Sequence, residues 1–214
     1  SAVVLGRTSR SLAIAALLGP WVDERFLVAL PLAILARAWT RSESGRLAPE
    51  YLRSITLTIG VCLVPYFAIR GIASLAAPDG TGTLVAWIWQ EVHRWLPHAP
   101  LGWWIGGRAV WLFALLWIGM FFCQQQGWWR PAAGLVLVGT LSVTAFLACD
   151  LSRSSAVAWP AFLSGVVCLH RFFPGFAPAT IAAVLLANTF LPGGHAVDVH
   201  VLWLQSWPAA FLVH

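Results

Sequence analysis

The sequence predicts an all-α fold: a polytopic integral membrane helix bundle of about six to eight membrane segments, forming a single transmembrane domain over 1–214. Three observations carry that expectation. Apolar residues make up 59% of the 214-residue chain and charged residues only 10%, whereas soluble domains carry roughly 45–50% and roughly 25%. Apolar runs of near-spanning length recur along the chain. Finally, there are 14 Trp, several of them near the ends of those runs (Trp21, Trp39, Trp103, Trp104, Trp128, Trp129, Trp203), where an apolar indole with one N–H donor suits the bilayer interface.

A spanning helix needs about 20 mainly apolar residues. Segments 54–76, 101–122, 131–149, 154–170 and 177–191 approach or meet that length. The stretch 11–38 is divided by Asp23-Glu24-Arg25, which predicts a short helix, a polar turn near Pro20 and a second spanning helix that starts at the triplet. In 82–100, Leu84, Trp87, Ile88, Val92, Trp95 and Leu96 recur at helical spacing while Glu91, His93, Arg94 and His98 take other faces, the pattern of an amphipathic helix, at about 82–97, lying in the interface. Residues 193–200 read as a polar loop, and 201–213 as the start of a further span or a re-entrant piece.

The +5 net charge comes from 13 Arg, with no Lys. No Schiff base to retinal or pyridoxal phosphate can form without a lysine amine. Nucleic acid is not an expected partner, because the arginines are dispersed between apolar runs and make no basic face. Cys62, Cys123, Cys149 and Cys168 show no metal-ligand spacing and read as small buried hydrophobes. The chain begins at Ser1 and ends at His214 inside apolar runs, without a recognisable signal peptide, as expected of a piece of a longer protein.

Cytoplasmic loops carry the Lys and Arg excess. Arg37, Arg41, Arg46 and Arg53 therefore place the loop 37–53 in the cytoplasm, the localisation expected being a bacterial inner membrane. Alternating the spans from there adds Arg7, Arg10, Arg130 and Arg171 to the inside and leaves Arg25, Arg70, Arg94, Arg108 and Arg153 outside. The same alternation sends Asp23, Glu24, Asp79, Glu91, Asp150 and Asp198 outside with His93, His98, His195 and His200, and leaves Glu43 and Glu50 inside. A polar site is accordingly expected on the extracytoplasmic face.

Three strings supply its candidate residues. Asp23 and Glu24 stand just before the run Phe26–Ala38, where carboxylates cap a helix and where a general base could deprotonate an acceptor hydroxyl. Asp150 and Arg153, at i and i+3, either pair locally or leave Arg153 to hold an anionic headgroup. His195 lies in the Gly193–His200 string; with His200 five residues on, the two fall on different faces of a helix and opposite faces of a strand, so no metal site is expected. Arg108, near the outer end of an apolar span, either snorkels to the interface or turns toward a phosphate.

The acidic pair opening a Pro-containing span (Asp23, Glu24, then Ala29-Leu30-Pro31-Leu32) and the later Asp150-Leu-Ser-Arg153 before Trp159-Pro160 resemble bacterial polytopic glycosyltransferase-like membrane proteins of the GT-C type. The resemblance implies a many-helix protein using a polyprenyl-phosphate-linked sugar on the extracytoplasmic side. It extends to Asp23, Glu24, Asp150 and Arg153 and no further.

Three function classes follow. In a transferase, Asp23, Glu24 and Asp150 would be catalytic, Arg153 with Arg94, Arg108 and His195 would hold the lipid-linked substrate, and a divalent cation would bridge carboxylate to pyrophosphate. A secondary transporter would show repeated halves and interrupted helices, and no clear repeat is present. A non-catalytic subunit would pack its Trp-rich faces against lipids or partner membrane subunits.

Overall fold

The computed structural model describes residues 2–6, 8–76, 92–147, 154–197 and 200–204. The regular elements they form are helices and one pair of strands. In chain order they form α1 (Ala2–Leu5), α2 (Ser9–Val22), α3 (Arg25–Arg41) and α4 (Pro49–Ala76). Next come a helical turn at 92–95, a 3-10 turn Leu96–His98, α5 (Ala99–Gly107), a 3-10 turn Arg108–Val110 and α6 (Trp111–Gln124). α7 (Trp129–Leu147), a 3-10 turn Ser155–Ala158, α8 (Trp159–Phe172) and α9 (Ala177–Phe190) complete the helices. Strands β1 (Gly193–Val197) and β2 (His200–Leu204) pair antiparallel.

Local chemistry explains the ends. Thr8 Oγ1 accepts the Ser11 N–H at 3.2 Å and so caps α2. Pro100, Pro160 and Pro178 sit in the first turns of α5, α8 and α9, where no N–H is missed. Between α3 and α4 the chain reverses at Gly45, whose φ of 71° is open to a residue without Cβ.

The apolar runs at 11–22, 26–38, 54–76 and 177–191 each fall on a helix, as does the described part, 131–147, of the run 131–149, while the run 154–170 takes in the 3-10 turn Ser155–Ala158 and most of α8. The run 101–122 lies within the helical stretch Val92–Gln124, and the backbone turns inside it at Arg108 (φ 46°, ψ −124°), between α5 and α6. Of the interfacial helix expected at about 82–97, residues 82–91 lie outside the described residues; 92–97 leads into α5, with Trp95 buried against Ala99 and Ile105. One expectation is corrected: Gly193–Val197 and His200–Leu204 pair as antiparallel strands, since the Gly193-Gly194 and β-branched sequence favours extended pairing over a polar loop or the start of a span.

Two helical stretches, Pro49–Ala76 and Val92–Gln124, are long and apolar enough to cross a membrane by length and composition. α7 has 19 residues and reaches ~29 Å at ~1.5 Å per residue. Apolar side chains face outward along several helices, among them Ile14 and Leu18 of α2, Val61 and Ile72 of α4, Leu115 of α6, Leu135 of α7 and Leu186 of α9.

Inside, α8 packs against both α6 and α3, while α2 rests on α4 and α3 on α7. Leu32, Ala36, Trp39, Ala114, Trp117, Phe162 and Cys168 form the centre of the main core. The α6–α8 crossing is close because position 165 has no side chain: a Cβ there would lie 2.0 Å from the Phe113 carbonyl oxygen. Gly165→Ala therefore separates the two helices and destabilises the fold by roughly 1–3 kcal/mol, whereas Gly60→Ala, with open space around its Cβ, leaves it nearly unchanged. Thermal unfolding of the two variants in detergent reads this difference.

Candidate functional site

The charges sort to opposite ends of the bundle. Arg37 Nη1 donates to the Val3 and Gly6 carbonyls at 2.7 and 2.9 Å, and Arg41 Nη2 to Gly6 at 2.6 Å. Arg171 donates to the Thr40 and Ser42 carbonyls at 2.9 Å each, with its guanidinium 5.3 Å from the Trp39 ring centroid. At this same end the Gln125 amide accepts the Leu47 N–H and donates to the Gly45 carbonyl, and Gln124 accepts the Trp39 indole N–H. Arg130 Nε reaches the Phe122 carbonyl. The end of α1, the end of α3 with the loop after it, and the ends of α6 and α8 thus meet.

At the other end lies the turn between α2 and α3. Asp23 ends α2 in an extended conformation and its Oδ1 accepts the Arg25 N–H at 2.9 Å and Arg25 Nε at 3.1 Å. The expected capping role is fulfilled by Asp23. Glu24 makes no capping bond; its Oε1 instead accepts the Tyr66 hydroxyl at 3.1 Å and the Arg70 guanidinium, both on α4. Trp21 stacks edge-on against Tyr66, centroids 5.0 Å apart. The second oxygens of Asp23 and Glu24 have no partner among the described residues.

Two cavities flank this turn. One, of about 250 Å³, runs down the α3 face made by Phe26, Ala29, Leu30 and Ala33, which recur at helical spacing, with Asp23 and Arg25 also on its wall. Val3 and Val4 close one side, and Ala156, Val157, Trp159 and Pro160 the other. The second, of about 190 Å³, lies between Trp21, Glu24, Tyr66 and Arg70, and Asp23 borders it too. Asp23 is thus common to both, beside an apolar slot on one side and an aromatic and charged recess on the other.

The remaining candidates lie elsewhere. Arg108 is committed to a helix end: its Nη1 donates to the Leu191 carbonyl at 3.1 Å, while the next N–H, of Ala109, donates to Asn188 Oδ1 at 2.8 Å. Those two bonds hold the break between α5 and α6 in a backbone region that costs a non-glycine residue on the order of 1–3 kcal/mol. Arg94 is exposed on the turn at 92–95. His195 pairs with Leu202 across the hairpin. The ladder puts positions 195 and 200 on one face, because 200 faces 197 and 197 is two residues from 195; the opposite-face expectation held only for a single continuous strand. Asp150 and Arg153 fall outside the described residues, although Ala156 and Val157, just beyond them in sequence, line the slot.

Tyr66, Arg70 and Asn188 were not singled out from sequence. Tyr66 and Arg70 stand four apart in an otherwise apolar run, a one-face polar notch that the sequence does display. Among the described residues no group of three or more His, Cys, Asp or Glu is placed to hold a metal ion. Comparison with known protein families, with characterised proteins and with solved structures finds no match.

The side chains of Arg70 and Glu24 are 56% and 61% exposed, so solvent screens their pairing. A double-mutant cycle with Glu24→Gln and Arg70→Gln, read by thermal unfolding in detergent, is expected to give a coupling of no more than about 1 kcal/mol.

Proposed function

We propose that the chain is a polytopic integral membrane protein that seats a lipid-linked phosphate in the slot beside Asp23, where a group is transferred from a polyprenyl-phosphate-linked donor. The observation that carries this reading is the slot itself. Its floor is an apolar helical stripe suited to a hydrocarbon tail, and the charged residues on its wall are Asp23 and Arg25, at one end of that stripe. Amphiphile sites have this construction: apolar walls for most of the ligand, and a few polar groups that fix one end.

Outward-facing apolar side chains on α2, α4, α6, α7 and α9 support the membrane setting, since soluble monomers rarely expose contiguous apolar surface on this scale. In that setting the Arg37–Arg41 end faces the cytoplasm and the Asp23 end the exterior. Arg25 is the cation nearest the slot; it would meet the phosphate, and the unpartnered Asp23 oxygen would act on the acceptor hydroxyl or hold a bridging divalent cation. The resemblance to GT-C-type proteins rests on the same acidic pair and Pro31-containing helix.

A second reading has its own observation. Glu24 is tied to Tyr66 and Arg70, which pins α2–α3 to α4, the arrangement of a structural carboxylate. A non-catalytic lipid-binding subunit would use the slot in the same way and carry out no transfer.

Binding of a fluorescent short-chain polyprenyl phosphate to the detergent-solubilised protein tests the slot. Ala29→Trp, which fills it, is expected to weaken binding by roughly tenfold or more, and Asp23→Asn to leave binding within about threefold while abolishing transfer. Unchanged binding by Ala29→Trp would remove the slot as the lipid site. Binding without transfer in the unaltered protein would favour the non-catalytic subunit.

A further inference from the structure

At the end of the bundle opposite Asp23, two guanidinium groups meet on one neutral acceptor. Arg37 and Arg41 stand four apart on α3 and both donate to the Gly6 carbonyl, at 2.9 and 2.6 Å. The other helix-end arginines, Arg108, Arg130 and Arg171, each serve carbonyls that no other arginine shares. Arg37 is only 3% exposed, and its Nε has no hydrogen-bond partner among the described residues. Neither arginine has a carboxylate: both ion pairs among the described residues, Arg25–Asp23 and Arg70–Glu24, are at the opposite end.

Carbonyl oxygens satisfy N–H groups but carry no formal charge. The partial negative charge at the end of a helix offsets part of one guanidinium, about half an elementary charge, and cannot balance two. A buried cation without a counter-charge is costly, and one beside a second cation more so. An anion held by the exposed Arg41 fork, within the field of the buried Arg37, offsets that cost, and a phosphate has the oxygen count and geometry for it.

We propose that Arg37 and Arg41 form a phosphate-binding site at the foot of α1, distinct from the slot beside Asp23. Arg41, which is exposed, receives the anion, and Arg37 supplies the buried half of the positive field. The ligand is a phosphate group, either of an anionic phospholipid in the leaflet at that end or free in solution. This inference stands on the Arg37–Arg41 geometry alone and does not depend on a transfer reaction at the other end.

The full chain in nanodiscs of phosphatidylcholine, with and without phosphatidylglycerol, and in neutral detergent with and without inorganic phosphate, gives the test through its thermal unfolding midpoint. The anion is expected to raise the midpoint. Arg41→Gln should weaken the apparent affinity by roughly tenfold, and Arg41→Lys should restore part of it, while Arg46→Gln, an exposed arginine of the neighbouring loop, should change it little. A shift in both settings supports the site with a free phosphate as ligand, and a shift with phosphatidylglycerol alone supports it with a lipid headgroup. The proposal is overturned if no anion shifts the midpoint, or if Arg46→Gln weakens the response as much as Arg41→Gln does.

Discussion

Helix C-termini present carbonyl oxygens that the helix itself cannot satisfy, and in an apolar setting there is little water to do it. In this chain arginine side chains meet that requirement. Arg37 and Arg41 close the end of α1, Arg171 the end of α3, Arg130 reaches back to the end of α6 and Arg108 crosses to the end of α9. Each bond is charge-assisted and favourably placed in the field of the helix end. Because donor and acceptor belong to different segments, the same bonds fix which helix ends meet. The position of the α3 face, and with it the slot beside Asp23, follows from this clamp: Val3 and Val4 form its wall because Arg37 holds α1 in place.

The acidic turn is the mirror of that arrangement. Asp23 caps α3 and Glu24 reaches α4, so the carboxylates stabilise helix starts and an interhelical contact where the arginines stabilise helix ends. One side chain thus serves both structure and, in the proposed function, chemistry. Asp23 spends one oxygen on the cap and lines the slot, its other oxygen without a partner among the described residues, whereas Glu24 spends one oxygen on two donors from α4. This division makes Asp23 the stronger candidate for contact with a ligand.

Much of the helix pattern was legible in the sequence, because runs of apolar residues bounded by Gly, Pro and charged residues have few other readings. The end-to-end sorting of Arg37, Arg41, Arg130 and Arg171 from Asp23 and Glu24 was legible too, since alternating helices carry it without any knowledge of packing. What sequence could not supply was long-range pairing. Nothing local marks Tyr66 and Arg70 as partners of Glu24, or Asn188 as the residue that accepts the Ala109 N–H. The break at Arg108 was hidden for a related reason: its neighbours are apolar and helix-compatible, and only the bonds to Asn188 and Leu191, some 80 residues away, sustain the unusual backbone. The pairing of β1 with β2 was missed because Gly193–His200, with two His and an Asp, reads as a polar loop, and the short apolar run after it as the start of a span.

The account depends on the two charged ends lying on opposite sides of a bilayer. Single cysteines introduced by Glu43→Cys and by Val22→Cys, both at exposed positions, in a background with the native cysteines replaced, can be labelled in sealed right-side-out vesicles with a membrane-impermeant maleimide. With the Asp23 end outside and the Arg37–Arg41 end in the cytoplasm, position 22 is labelled from outside and position 43 only after the vesicles are opened. Equal labelling of both positions in sealed vesicles would contradict it.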